Sequence, residues 1–402
     1  MMIATENKLE TVLGTFEKII AEKGNNFDIS FLNGLSGAAL ACFYLGRYVD
    51  AKFTSKARQL VTTITQRLES YTFQLKSFHS YCSGMAGVIS VFRHLNEFGF
   101  YPNEVAASFA PFNELLLKGA MADFEKQNTD FLHGPLGVFY HYIFRLEEPE
   151  TEQFLGQIFK KYQSVLKRDE RGIRVFNSVI LDQQAEEYNL GLAHGLSGHL
   201  LILAEAHQRG WATAETEAIL RGGVDYLLTL EREPGPGDYP TYFPCYQVES
   251  TILEGAELEE AFDTRLAWCY GDLDVALALL KIGEVLADQA TYQKGLDLAL
   301  KTTKRQTPYE SKVEWNPFFC HGSSGLAYIY QVLFAKTQIS AFQAAHNYWI
   351  DRTNEILEVV HIKEEDRFAL SVLEGYAGLA LVLLAHQQGA PLPFKELLLL
   401  NL

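Results

Sequence analysis

His194-Gly195-Leu196-Ser197-Gly198, followed at once by His199-Leu200-Leu201-Ile202-Leu203-Ala204-Glu205-Ala206, is the stretch whose reading decides the fold. Its two glycines let a loop turn sharply into a helix. The segment behind them is apolar nearly all round, the mark of a helix buried on several sides. The pattern recurs. Asn33-Gly34-Leu35-Ser36-Gly37, Ser83-Gly84-Met85-Ala86-Gly87 and His133-Gly134-Pro135-Leu136-Gly137 precede it. Tyr270-Gly271-Asp272-Leu273-Asp274, His321-Gly322-Ser323-Ser324-Gly325 and Glu374-Gly375-Tyr376-Ala377-Gly378 follow it. The first glycines lie 50, 50, 61, 76, 51 and 53 residues apart.

Before each motif lies a segment of amphipathic period: Glu10 to Ala21, Ala51 to Leu68, Val105 to Leu117, Glu152 to Leu166, Ala214 to Leu230, Gln289 to Thr302 and Ser340 to Leu357. Apolar residues there recur at i, i+3, i+4 and i+7 with charge between them, the surface-helix pattern. The unit is therefore an outer amphipathic helix, a loop, a glycine turn and an inner buried helix. Seven units make fourteen helices in an all-α chain. Inner helices that are apolar on every side must close or stack to be covered. A double ring of seven helical hairpins, an α/α toroid, is the simplest solution. In such a ring the side chains beside the glycine turns face one another, although they come from different repeats.

The two long gaps carry insertions. Arg168 to Phe176 reads as a short turn with strand-like flanks. Glu233 to Pro244 holds four prolines in eleven residues, which excludes regular helix. This 233–264 insertion is expected to line or cover the site, since long irregular insertions in compact domains are usually functional. No low-complexity linker divides the chain, so residues 1–402 are expected to form a single domain.

Charge and cysteine usage bound the function. The net charge of −16, from 34 basic and 50 acidic residues, disfavours non-specific binding to nucleic acid or to an anionic membrane surface. The first twenty residues have interspersed charges and no apolar core of a signal sequence. No stretch approaches the ~20 apolar residues that span a bilayer. Five cysteines in 402 residues are not a disulfide framework; they fit free thiols or metal ligands in a reducing cytoplasm. A soluble, cytoplasmic monomer is expected.

Two of those cysteines, Cys269 and Cys320, stand two residues before a first glycine, and His321 follows the second directly. Thiolate and imidazole are ligand types that zinc prefers, and three protein ligands leave the fourth tetrahedral position open, as catalytic sites require. A helix N-terminus also favours a thiolate. The adjacent Cys-His pair is not a zinc-finger spacing, and buried free cysteines also serve as small hydrophobes. By residue type alone, both readings stand.

Seven glycine hairpins, with Trp268-Cys269-Tyr270-Gly271 in the fifth and Cys320-His321-Gly322 in the sixth, resemble the lanthionine synthetase C-like (LanC) family from about Gly34 to His386. The resemblance implies an α/α toroid with one zinc ion held by Cys269, Cys320 and His321. It implies a zinc-dependent cyclase: a peptide cysteine thiol adds to dehydroalanine or dehydrobutyrine in the same peptide, closing a thioether (lanthionine or methyllanthionine) ring. His194 matches the family's acid–base histidine, and Asp130 and Arg265 match positions that act near the metal. Addition at the β-carbon leaves an enolate that needs a proton at the α-carbon, and imidazole titrates near the operating pH. By position alone, His194 fits a helix-capping or core histidine better. An Asp130–Arg265 pair is expected to orient His194 or stabilise the enolate oxygen, or to be a structural ion pair. Tyr270 is placed either to donate a hydrogen bond to the enolate or to line the wall. His133 reads as a capping or supporting residue.

The chain departs from the family pattern at Asp272-Leu273-Asp274, where relatives carry an uncharged or basic residue and Pro-Gly. Two carboxylates there are good capping chemistry and are expected to place negative charge beside the metal. Pro135 suits a helix's first position. Cys42 and Cys82 are expected in the core and Cys245 in a loop. The implied partners are a dehydrated precursor peptide and a separate dehydratase, for which this chain has no room. Two alternatives are addition of glutathione to dehydrated residues in proteins, as in some relatives, and a non-catalytic peptide-binding scaffold for the dehydratase. The Cys/Cys/His set fits neither toroidal glycosidases, which need paired carboxylates, nor, in this placement, prenyl transfer.

Overall fold

A helix begins at the residue after each of the seven first glycines, at Leu35, Met85, Pro135, Leu196, Asp272, Ser323 and Tyr376. The computed structural model describes the chain except residues 1, 71, 73, 74, 76, 103–108, 180–186, 236–238, 249–259 and 361–366, and except the side chains of 2–7. Its long helices alternate as the repeat predicts. They are α1 (Met2–Lys23), α2 (Leu35–Tyr48), α3 (Lys52–Glu69), α4 (Met85–Glu97), α5 (Asn113–Phe124), α6 (Pro135–Ile143) and α7 (Thr151–Val165). Then come α8 (Leu196–Gln208), α9 (Thr213–Thr229), α10 (Asp272–Val285), α11 (Gln289–Thr302), α12 (Ser323–Thr337), α13 (Ser340–Val359) and α14 (Tyr376–Gln388).

Burial separates the two classes. In α2 every residue from Leu35 to Leu45 is buried, and in α10 every residue from Asp272 to Gly283. By contrast α3 buries only Phe53, Ala57, Leu60, Val61 and Ile64, one stripe at helical spacing. Of the third amphipathic segment, expected at Val105 to Leu117, residues 105–108 lie outside the described part. α5 runs from Asn113 to Phe124, beyond Pro111, which inside a helix has no N–H to donate and clashes with the preceding turn.

The chain divides into two compact units, Met1–Leu116 with Glu314–Leu398, and Leu117–Val313 with Leu399–Leu402. In the first, the buried helices pack in the order α4, α2, α14, α12, so the first and seventh hairpins are neighbours. Closure of the repeat requires that adjacency. In the second unit the order is α6, α8, α10, with α7, α9 and α11 each against its own partner.

Adjacent loops are also tied by backbone hydrogen bonds at the residue two before the first glycine. In the first unit Leu32 N–H donates to Cys82 O (3.0 Å) and Cys320 N–H to Leu373 O (2.8 Å). In the second, Ala193 N–H donates to Cys269 O (3.3 Å). Cys269 and Cys320 thus hold equivalent places in the repeat.

The second glycine of the motif has a packing reason. A Cβ on Gly325 would stand 1.8 Å from Phe319 O, and one on Gly378 1.8 Å from Val372 O. The fifth repeat has Asp274 at that place, and its loop is built differently. Gly271 adopts φ 109°, whereas the other six first glycines lie between −121° and −147°. Only glycine accepts that backbone readily.

The short strands sit in the insertions. β1 (Leu166–Asp169) and β2 (Gly172–Val175) form the antiparallel hairpin expected around Arg168 to Phe176, and β3 (Glu187–Asn189) pairs with β4 (Tyr246–Val248). The described residues of 231–248 contain no helix, as their prolines require.

Candidate active site

In the second unit, Asp130 is the anchor. It is fully buried, and its two oxygens divide the work: Oδ1 accepts the His133 N–H (2.7 Å), while Oδ2 accepts His194 Nδ1–H (2.8 Å) and Asn177 Nδ2–H (2.8 Å). A carboxylate can only accept, so the His194 proton sits on Nδ1 and Nε2 is left for other chemistry. His194 lies in the loop before α8 and keeps 17% of its side chain exposed. Burial presses its pKa down, but the charge and hydrogen bond of Asp130 outweigh this and lift it above the ordinary histidine value. For Asp130, burial pushes upward and His194 more than reverses it, so the carboxylate stays ionised. His133 stacks on the His194 ring at 5.6 Å between centroids.

The Asp130–Arg265 pair expected from sequence does not form. Arg265 is exposed, and its side chain has no hydrogen bond or ion pair among the described residues. Its loop is pinned by the backbone instead, through Leu266 N–H to Ser311 O (2.8 Å). Asp130 has filled its acceptor sites with neutral and imidazole donors from nearer segments.

Cys269 is buried on the loop that Ala193 N–H joins to the His194 loop. Tyr270, beside it, has its ring 6.3 Å from that of His194. Asn189 Nδ2–H donates to its hydroxyl (3.1 Å), which leaves the phenolic hydrogen free to donate elsewhere. Burial raises its pKa, so the phenol stays protonated.

Asp272 and Asp274 correct a second expectation. Neither caps its own helix, and both are buried. Asp272 Oδ1 accepts the N–H groups of Tyr242 (3.0 Å) and Phe243 (2.9 Å), and Oδ2 accepts Arg305 (2.9 Å). It fastens the proline-rich insertion to the start of α10. Asp274 Oδ2 accepts Leu192 N–H (2.8 Å) from the neighbouring repeat. Burial raises the pKa of both, and that of Asp274 strongly. They are buried braces, not helix caps.

In the first unit, Cys320 and His321 are both half-buried in the loop before α12. Cys320 Sγ and a ring nitrogen of His321 lie within 4.8 Å of each other. Glu374, at the same repeat position as His321 one hairpin on, has Oε1 3.9 Å from His321 Nδ1. Ser371 Oγ fixes its loop by accepting the Leu373 (3.0 Å) and Glu374 (2.9 Å) N–H groups. Thiol and imidazole suit zinc, and a carboxylate beside a ligating histidine is the usual support for its ring. The residue directly before the first glycine is half-buried in six repeats, as Asn33, His133, His194, Tyr270, His321 and Glu374, and buried in the second, as Ser83. Six loops of the repeat therefore leave a polar side chain partly exposed at that place.

Sequence reasoning missed Asn177, Asn189 and Glu374. Glu374 was findable, since it shares the repeat position of His194 and His321. Cys42 and Cys82 are buried as expected, and Cys245 is a half-buried loop thiol whose pKa burial pushes up to about 12. No helix among the described residues is long and apolar enough to cross a membrane.

Comparison with known proteins agrees with these features. The family described as lanthionine synthetase C-like protein matches residues 26–399. The nisin biosynthesis protein NisC of Lactococcus lactis subsp. lactis is 22% identical over 395 residues, covering 94% of this chain and 91% of that protein. The solved nisin cyclase superposes with a TM-score of 0.75 at 21% identity, covering 98% of this chain and 97% of its own. At that identity the likeness shows the fold alone, the all-α α/α toroid that the repeat predicts.

Proposed function

Because the chain belongs to the lanthionine synthetase C-like family, we propose that it is a thioether-forming cyclase acting on a peptide already dehydrated by a separate enzyme. One observation carries the reading. An imidazole held by a buried carboxylate, His194 on Asp130, lies in a loop hydrogen-bonded to the loop of Cys269. Cys269, Cys320 and His321 are the residues that would hold one zinc ion. Bound there, the metal supplies Lewis-acid stabilisation of a thiolate at neutral pH.

The reaction adds the sulfur of a peptide cysteine to the β-carbon of dehydroalanine or dehydrobutyrine, and the thiol loses its proton. The electron pair of the alkene moves onto the α-carbon and carbonyl as an enolate. His194, protonated on Nε2, delivers a proton to the α-carbon; the proton released by the thiol goes to solvent, from which His194 is recharged, so hydrogen balances overall. The charge and hydrogen bond of Asp130 outweigh burial and hold the His194 pKa above the ordinary histidine value, which favours the charged form that donates. Tyr270 donates its phenolic hydrogen to the enolate oxygen. Arg265, exposed on the same loop, meets the peptide itself.

The test uses a peptide with one dehydroalanine and one cysteine, read by loss of alkylatable thiol. The wild type is expected to consume the thiol, His194→Ala to slow this about 10²–10⁴-fold, and Cys320→Ala to lose about one equivalent of zinc. A thiol as persistent with enzyme as without it, or full zinc in Cys320→Ala, would refute the reading. Product only from a cysteine-free peptide with added glutathione would make the addition intermolecular.

A further inference from the structure

The insertion between the third and fourth repeats ends in a segment laid along the loop that carries Asp130. Thr129 Oγ1 donates to Phe176 O (2.9 Å), Ser178 N–H to Gln127 O (3.1 Å) and Ser178 Oγ to Lys126 O (2.8 Å). These bonds set Asn177 against Asp130 with its side chain buried. The amide is then fully used. One Nδ2 hydrogen goes to Asp130 Oδ2 and the other to His194 O, each at 2.8 Å, while Oδ1 faces the N–H groups of Thr129 (3.4 Å) and Val179 (3.3 Å).

We propose that Asn177 is a positioning residue for proton delivery: it grips the Asp130 carboxylate and the His194 main chain together, so that the imidazole keeps one tautomer and one orientation. The geometry has few freedoms left. Asp130 cannot rotate without losing His133 N–H on Oδ1 or Asn177 on Oδ2. His194 cannot swing without leaving Asp130 at its ring or Asn177 at its carbonyl. An imidazole that donates from Nδ1 must present Nε2 to the substrate, and a donor held within a fraction of an ångström is what general acid catalysis needs. The bonds of Phe176 O, Ser178 N–H and Ser178 Oγ do not use the Asn177 side chain, so its replacement leaves these three ties of the segment in place.

This role rests on His194 being the proton donor of the proposed addition, and the experiment separates the two. In protein labelled with ¹⁵N-histidine and held at a pH where the ring is neutral, with the signal assigned by His194→Asn, the wild type is expected to show a single Nδ1–H tautomer at His194. Asn177→Ala is expected to show a mixture of tautomers, with kcat reduced about tenfold or more and KM little changed. In the His194→Asn background, Asn177→Ala should cost nothing further, because coupled residues are not additive. A folded Asn177→Ala protein that keeps one tautomer, or whose loss of rate is the same in both backgrounds, overturns the proposal. A tautomer mixture with no change of rate in either variant supports Asn177 as the positioning residue and removes His194 from the chemistry. Should alanine fail to fold, Asn177→Ser, which keeps an acceptor for Thr129, is expected to give the same mixture.

Discussion

Removing the Asp272 carboxylate strands three donors at once, the N–H groups of Tyr242 and Phe243 and the Arg305 guanidinium. Arg305 is itself buried, so the substitution leaves a charge out of water without its partner. Asp272→Ala is expected to lower stability by about 3–5 kcal/mol in urea denaturation. A loss below about 1 kcal/mol would mean that the pair braces nothing. Where these carboxylates stand was legible in the sequence, because a glycine turn followed by an apolar run marks a helix start. Their targets were not, since the Tyr242 amide is 30 residues upstream in a segment without periodicity. Asn177 was hidden for the same reason: its partners Asp130 and His194 lie 47 and 17 residues away, and no pattern links them. Cys269, Cys320 and His321 stood out because they occupy equivalent places in a repeat, a relation that needs no coordinates.

Among the elements, the β1–β2 hairpin shows how an insertion is put to use. Arg174, buried, pairs with Asp169 (2.6 Å) and lies over the rings of Tyr188 and Tyr226, which holds the hairpin on α9. Ile173 fills a notch at Gly222, where an added Cβ would meet Ile173 Cγ1 at 2.4 Å. Gly222→Ala is expected to cost about 1–3 kcal/mol through this overpacking and to lower Tm, and Ile173→Ala in the same chain should restore part of the loss. An unchanged Tm in Gly222→Ala would show that the hairpin is not pressed against the helix. The turn at Arg168 to Phe176 could be read ahead of the structure; the notch could not, because small residues inside a helical pattern carry no sign of what approaches them. α5, which begins beyond Pro111, has a similar lesson, since the amphipathic period ran through a residue that the interior of a helix excludes.

Across the molecule, stability is linked to pH through a cluster by the last turn of α4. His94, fully buried, accepts or donates to Tyr44 Oη (2.8 Å) and meets Glu396 Oε1 (2.8 Å), which Arg93 also holds (2.8 Å). Burial lowers the His94 pKa despite Glu396; burial raises that of Glu396, but His94 and Arg93 outweigh it and bring it below the ordinary value. Both groups thus bind protons more weakly folded than unfolded. Their contribution is complete above about pH 6.5, the ordinary histidine value, and drains as pH falls through that of His94 and then through that of Glu396. Glu396→Gln is expected to be about 2 kcal/mol less stable at pH 7, to keep at least as steep a fall of Tm between pH 6.5 and about 4.5, because His94 loses the charge that holds its pKa up, and to show a flatter fall below about pH 4.5. Parallel Tm–pH curves for the two proteins would exclude the linkage.

The contact of α2 with α14 has a further consequence during synthesis. The bond from Ser371 Oγ to Leu32 O joins residues 339 positions apart. As the chain leaves the ribosome, the first hairpin is made before the seventh and must wait, one apolar flank uncovered, until the chain has emerged as far as Ser371, 339 residues on from Leu32, to supply its lasting neighbour. Final closure is thus set by the arrival of the last repeat, and the exposed flank in the interval is where a chaperone or an aggregate competes for the nascent protein.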